Sequence, residues 1–344
     1  MAKRGEQDTK KEKGGQTVYF KSRPAIIGSY SIAGEKEGKG PVGKYINNVV
    51  NDCLFGEKTH EMSEQKMFEH AISGAIKDAG LKPNQIDMML SGDLLNQIIS
   101  SSFAARSFDL MFVGIYGACS TMALSLAMGS VMVDGGFVNN AVVSAGSHFA
   151  TAERQYRYPL ELGNQRPPVS QWTVTGAGSI VLSNKSTAKS PCVTAATFGK
   201  VIDWGVLDVN NMGAAMAPAA AATIIAHFRD TGRKPSDYSH IFTGDLGKLG
   251  EDILRDLLAE ADYTLGTNYS DCGRLIYDEA QNLYQGGSGC GCSAVVLNSF
   301  IMKKLRNGEY KRILFVATGA LLSPVSSFQG NTVPGIAHAV VIEC

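Results

Sequence analysis

The order of apolar and polar positions repeats along the chain. From Lys77 it reads KDAGLKPNQIDMMLSGDLLNQ, and from Arg229 it reads RDTGRKPSDYSHIFTGDLGKL. Each stretch predicts the end of a helix, a glycine C-cap, a Lys-Pro turn, a short apolar strand and a polar loop. At a fixed offset of 152 residues, Asp78, Gly80, Lys82, Pro83, Gly92, Asp93 and Leu94 meet identical residues. A second pair follows at offset 173, where Ala118–Ser147 matches Gly291–Ala320 and Cys119 falls on Cys292, Ser120 on Ser293, Val143 on Val316 and Gly146 on Gly319. Both copies predict a tight turn, a helix of about four turns, a glycine stop and a buried strand.

The unit is therefore strand, helix, strand, turn, helix, strand. Strands alternating with helices at this spacing imply an α/β fold of βαβ crossovers, with sheets covered by helices. Two copies predict two similar halves, 16–186 and 187–344, joined near 184–191, with a disordered polar tail over 1–15. Duplicated halves packed about a pseudo-twofold axis bring the two glycine- and cysteine-started helices together at the centre. The small residues Ala118, Ser120, Ala123, Gly289, Gly291 and Ser293 permit that approach.

Composition removes several function classes. Among 344 residues, 32 are basic and 32 acidic, which argues against nucleic-acid binding. Hydrophobic residues make up 44%, enough for a large core. Seven cysteines, an odd number without framework spacing, suggest a reducing compartment. Cys290-Gly291-Cys292 lacks a second ligand pair, so no metal and no cofactor is expected. GGSG at 286–289 lacks the Walker lysine and so does not read as a phosphate loop. The most apolar helical run, Ala214–Phe228, contains Pro218 and is too short to span a bilayer. A soluble chain is expected, with any membrane association through a partner.

A duplicated α/β chain with a cysteine at a helix start near residue 119 resembles the thiolase superfamily, which includes the ketoacyl synthases. The resemblance implies layered α/β/α/β/α architecture and an acyl-accepting thiol in the first half. It also implies His with Asn, or His with a second Cys, in the second half, and usually a homodimer. A finer resemblance rests on SGDLLNQ (91–97), FVGIYGACSTM (112–122), SHFATAERQYRYP (147–159), MGAAMAPAAAATI (212–224), GGSGCGCSAVV (286–296) and IAHAVVIE (336–343). Together they resemble the thiolase-like family of the SpoVA sporulation system of endospore-forming bacteria. Membership implies binding of dipicolinic acid, a part in moving it into the developing spore, and other SpoVA proteins as partners at the spore inner membrane.

The candidate site follows residue by residue. Cys119 stands where the superfamily nucleophile stands, at a helix start whose dipole favours a thiolate. The stretch 240–247 offers Gly244, Asp245, Leu246 and Gly247 where condensing enzymes carry His or Asn. The stretch 284–293 offers Gly286, Gly287 and Ser288, and 330–339 holds no second cysteine. Without base and oxyanion partners, binding is expected rather than turnover. The alternative is an acyl-CoA-dependent condensing enzyme using Cys119, with His148 or His338 as base. For binding, the expected residues are Cys119, Ser120, His148, Arg154, Gly286, Gly287 and His338. Glycines at 286–287 would open room beside the thiol, and His338 would line the site from a loop before the last strand. A flat dianion needs charge-assisted donors. Helix-end amides at 118–120 and 291–293 could supply them, as could Arg154 and Arg157 with Tyr156 and Tyr158. Those arginines read equally as surface partners of Glu153 and Glu161. Asp93 and Asp245, one in each GDL copy, read as turn or helix-cap residues.

Overall fold

The computed structural model describes residues 15–156, 165–186 and 190–344. The expected tail (apart from Gly15), Arg157, Tyr158 and Glu161, and residues 187–189 of the expected junction lie outside the described residues. Strands run at Thr17–Tyr19 (β1), Ala25–Gly34 (β2), Asn48–Val50 (β3), Met88–Gly92 (β4), Met111–Gly114 (β5), Asn140–Ser147 (β6) and Trp172–Thr173 (β7). They continue at Gly176–Ser183 (β8), Cys192–Thr197 (β9), His240–Thr243 (β10), Tyr269–Asp271 (β11), Gly287–Ser288 (β12), Arg312–Ala320 (β13) and Gly335–Glu343 (β14).

Pairing shows the duplication directly. One series runs β2-β8-β6-β4-β5, antiparallel for its first two contacts and parallel for its last two. The other runs β9-β14-β13-β10-β11 with the same senses in the same order. A single pair, Ala25 with Cys192, joins the two series. The turn chemistry repeats as well. Gly80 and Gly232 end their helices at φ 68° and 66°, a left-handed conformation that glycine adopts without steric cost. Gln85 and Asp237 then each accept the backbone N–H three residues back.

Helices complete five layers. His60–Asp78 lies on the outer face of the first series, and Met212–Thr231 with Gly247–Glu260 covers the second. Met67, Phe68, Ala71, Ile72, Ala75 and Ile76 recur at helical spacing and are buried against β2, β6 and β8. Each large side chain so buried contributes about 1.5–3 kcal/mol. Between the sheets lie Thr121–Asp134 and the helix that starts at Cys290, in one core with Leu90, Val143, Phe242, Phe315 and Val340.

The central helices are not superposable at their starts. The first begins at Thr121, two residues after Cys119. The second begins at Cys290, so Cys292 sits inside its first turn, and it passes through a π turn at Leu297–Ile301 before ending at Arg306. The sequence correspondence of Cys119 with Cys292 therefore places one thiol before a helix and the other within one. His338 also departs from expectation. It lies inside β14, opposite Ala317, because the apolar alternation GIAHAVVIE pairs with β13 along its whole length.

Candidate functional site

Where β4, β6, β10 and β13 end, the two halves leave a cleft at the first turn of the Thr121 helix. Leu94, Tyr116, Ala118, Cys119, Ala152, Tyr156, Thr173, Val209, Met212, Ser288, Gly289, Ala320 and Leu322 line it. The walls leave about 510 Å³ of atom-free space, counting the open mouth.

The floor is built by the turn Gly117–Ser120. Ala118 has φ 48°, a left-handed conformation that costs a non-glycine residue about 1 kcal/mol. Side chains hold it there. Ser120 Oγ donates to Gly117 O at 2.6 Å, while Thr121 Oγ1 and Cys290 Sγ donate to Ala118 O at 2.6 and 3.0 Å. Gly319 is required at the approach of β13, since a Cβ there would meet Gly117 O at 2.4 Å. Ser120 is thus a brace of the turn, fully buried, and does not line the cleft.

Beside Cys119 stands Ser288, with Sγ and Oγ 4.0 Å apart. Parallel pairing of β12 with β7 sets Ser288 opposite Thr173, and both residues line the cleft. Behind Ser288 lies Asp245, fully enclosed. Its Oδ2 accepts Ser288 Oγ at 3.0 Å and Gly289 N at 2.9 Å, and its Oδ1 accepts Thr318 Oγ1 at 2.7 Å. Burial pushes the Asp245 carboxyl up to about 6. Burial, followed by the Asp245 charge and Cys290, pushes the Cys119 thiol well above the usual range. The expected thiolate is replaced by a neutral thiol, because burial, and after it the carboxyl behind it, oppose the helix dipole.

The other expected residues disperse. His148 is buried, its Nε2 2.8 Å from Cys53 O and its Nδ1 accepting Ala150 N, and burial pulls it down to about 4. His338 accepts Gly199 N on Nδ1 at 3.3 Å and is likewise pulled to about 4 by burial. Neither lines the cleft, so neither stands as a base for Cys119. Arg154 pairs with Glu61 at a separate surface hollow, and Tyr156 from the same helix does reach the cleft. Gly286 and Gly287 do not open room beside the thiol. A Cβ on Gly286 would meet Gly273 O at 2.5 Å, and one on Gly287 would meet Ile276 Cγ2 at 2.7 Å, so the first glycine answers to close backbone packing and the second to buried side chains.

Three of the expected helix-end amides, those of Ser120, Gly291 and Cys292, are engaged. Ser120 N donates to Gly117 O, Gly291 N to Ser147 Oγ and Cys292 N to Gly289 O. The polar residues lining the cleft are instead Tyr116, Tyr156, Thr173, Ser288 and Cys119, of which Tyr156 already donates to Leu94 O and Ser288 to Asp245, and no Lys, Arg or His lines it among the described residues. Burial keeps both tyrosines protonated. Sequence reasoning passed over Asp245 as a turn residue and did not anticipate Thr173 or Tyr116. The available signal was the duplicated GDL, which places Asp245 at the carboxyl end of a strand, where ligands of α/β sheets bind.

Comparison with known proteins bears on the family and the fold. The family model described as stage V sporulation protein AD (SpoVAD) matches residues 14–343. The stage V sporulation protein AD of Bacillus subtilis strain 168 is 45% identical over 330 residues, 96% of this chain and 97% of that protein. Among solved structures, 3-oxoacyl-[acyl-carrier-protein] synthase III from Aquifex aeolicus VF5 superposes with TM-score 0.59 at 14% identity, over 93% of this chain and all of that one (100%). Cerulenin-bound OleA from Xanthomonas campestris superposes with TM-score 0.61 at 11% identity, over 95% and 98% of the two chains. These two structures carry the fold alone.

Proposed function

The chain belongs to the stage V sporulation protein AD family, and from that premise we propose a non-catalytic component that binds dipicolinic acid in the cleft at Cys119. The observation carrying the proposal is the replacement beside the thiol. Where an acyl-transfer site needs a base, Cys119 meets Ser288 and the enclosed Asp245, and no histidine lines the cleft among the described residues. A neutral, buried thiol is a poor nucleophile. The same cleft is lined by two tyrosines, Thr173 and Ser288, a set that suits a flat aromatic dicarboxylate.

In this reading the protein takes part in moving dipicolinate into the developing spore. It acts beside other SpoVA proteins, peripherally on the cytoplasmic side of the forespore inner membrane. In support, no helix among the described residues is long and apolar enough to cross a membrane. The protein pairs with a second copy along β5, an edge strand with Met111 and Val113 exposed. Sedimentation tests the pairing, and a monomer at tens of micromolar overturns it.

Titration calorimetry with dipicolinate and with acetyl-CoA tests the ligand. Heat is expected with the first only, and its absence at millimolar dipicolinate overturns the binding reading. Intact mass after incubation with acetyl-CoA is expected unchanged. An acetyl adduct on Cys119 would restore the acyl-transfer alternative.

A further inference from the structure

A dianion entering a cleft without a cation must lie near a buried carboxyl, and the geometry points to how that conflict is resolved: binding of a carboxylate ligand draws the Ser288 hydroxyl away from Asp245, and Asp245 takes up one proton from solvent in exchange. This inference rests on the proposed binding reading and adds its coupling to protons.

The arrangement of donors carries the argument. Ser288 stands between the cleft and Asp245, lining the first and donating to the second. While Asp245 is ionised, the Ser288 proton is held in a charge-assisted bond, and the side of its oxygen left for the cleft is a lone pair. A ligand carboxylate meeting that lone pair is repelled, and the Asp245 charge behind it adds to the repulsion. A proton on Asp245 Oδ1 changes both conditions. Thr318 Oγ1, now donating to Oδ1 at 2.7 Å, can accept from it equally well. Oδ2 stays an acceptor for Gly289 N, so the backbone need not move. Ser288 is then released from a charged partner and its hydroxyl can turn to donate into the cleft.

Among the described residues the titratable groups facing Asp245 are few, and the Cys119 thiol is a further donor toward its carboxyl. The Thr121 helix turn presents the Cys119 thiol, and the Cys290 helix presents the Cys290 and Cys292 thiols. The end of β11 presents Asp271 and Cys272. β13 and β12 present only the hydroxyls of Thr318 and Ser288. Gln171 is spent on the carbonyls of Asp245 and Gly287. The other three thiols are raised by burial like Cys119, and Asp271 adds a second negative charge, so no cation among the described residues offsets Asp245. Its carboxyl, raised to about 6 by burial, accordingly takes its proton within an accessible pH range.

Calorimetry of dipicolinate binding between pH 5.5 and 8, in two buffers of different ionisation enthalpy, tests the coupling. Both ligand carboxylates stay ionised across that window. For the wild-type protein, affinity is expected to weaken by up to about tenfold per pH unit above about pH 6, with proton uptake approaching one per ligand. Asp245→Asn can place its amide toward Thr318 and its oxygen toward Ser288 and Gly289, which mimics the protonated acid. This variant is expected to bind with the wild type's low-pH affinity at every pH. Ser288→Ala is expected to bind about tenfold more weakly at pH 6. Binding that is independent of pH in the wild type, or a slope that survives in Asp245→Asn, overturns the coupling alone. An unaltered affinity in Ser288→Ala also overturns it. Absence of heat for the wild type at every pH overturns the binding reading as well.

Discussion

Asp93 and Asp245 end the same strand in the two copies, yet they do different work. In the first copy the acid serves its own half. Asp93 accepts Leu95 N at 2.9 Å, and Ser101 N and Oγ at 2.8 Å each, tying the loop after β4 to the first turn of the helix Ile99–Arg106. In the second copy that task has passed to another residue. Asp271 accepts Leu246 N, Gly247 N and Thr243 Oγ1, and caps Arg274 N besides. Register explains the transfer. Thr243 pairs with Asp271 on the edge strand, whereas its counterpart Ser91 pairs with Gly114. The edge strand of the first half carries no acid there, its register position being Gly114, packed against the end of the Ile98 side chain. An acid at the edge releases Asp245 to face across the molecule toward Ser288 and the cleft. Duplication thus frees a carboxylate for a new use by supplying a substitute at the neighbouring register position.

That difference can be broken from its structural side first. Asp271→Ala leaves four donors without their acceptor, two of them buried backbone amides at the start of Gly247–Glu260. The expected loss is roughly 4 kcal/mol of stability, read as a large fall in the calorimetric melting temperature. A loss under about 1 kcal/mol would mean that Asp245 still shares the capping task. Asp93→Ala removes three accepted bonds and is expected to cost about 2 kcal/mol. It should leave dipicolinate affinity and its pH dependence unchanged. A shift in either would show that the first copy also communicates with the cleft.

The layered fold and its duplication were legible because helix ends, glycine caps and Lys-Pro turns are local, and both copies keep them at a fixed spacing. Cys119 was legible for the same reason, as a residue between a tight turn and a helix. The remaining site was not, because its partners come from β12, β10 and β13, brought together only by sheet pairing. Gly286 and Gly287 looked like vacated catalytic positions, but their lack of a side chain answers to backbone carbonyls and Ile276 on their far side. His148 and His338 looked available until hydrogen bonds to Cys53 O and Gly199 N accounted for them. Asp245 shows the limit most clearly. Its sequence context is that of Asp93, and only the long-range pairing of Thr243 with Asp271 separates their roles.

The last effect concerns the protein without ligand. Asp245 has an ordinary value of 3.8 when exposed and about 6 in the fold, raised by burial. The unfolded chain therefore ionises first as pH rises, and the folded state holds its proton longer. Between about pH 4 and 6, stability from this group should fall by up to about 1.4 kcal/mol per pH unit, then stay level above pH 6. The whole protein will not show this slope cleanly. His148, His227, His240 and His338 are all pulled down by burial, so they lose stability in the opposite direction as pH drops below about 6.5. The difference between wild type and Asp245→Asn cancels those histidines. Denaturation of both proteins at intervals from pH 4.5 to 7.5 should therefore give a gap that widens with pH in favour of the asparagine variant, up to about pH 6. A gap that does not change with pH would place the Asp245 proton outside this range and leave the acid in the second copy, like Asp93, a structural partner only.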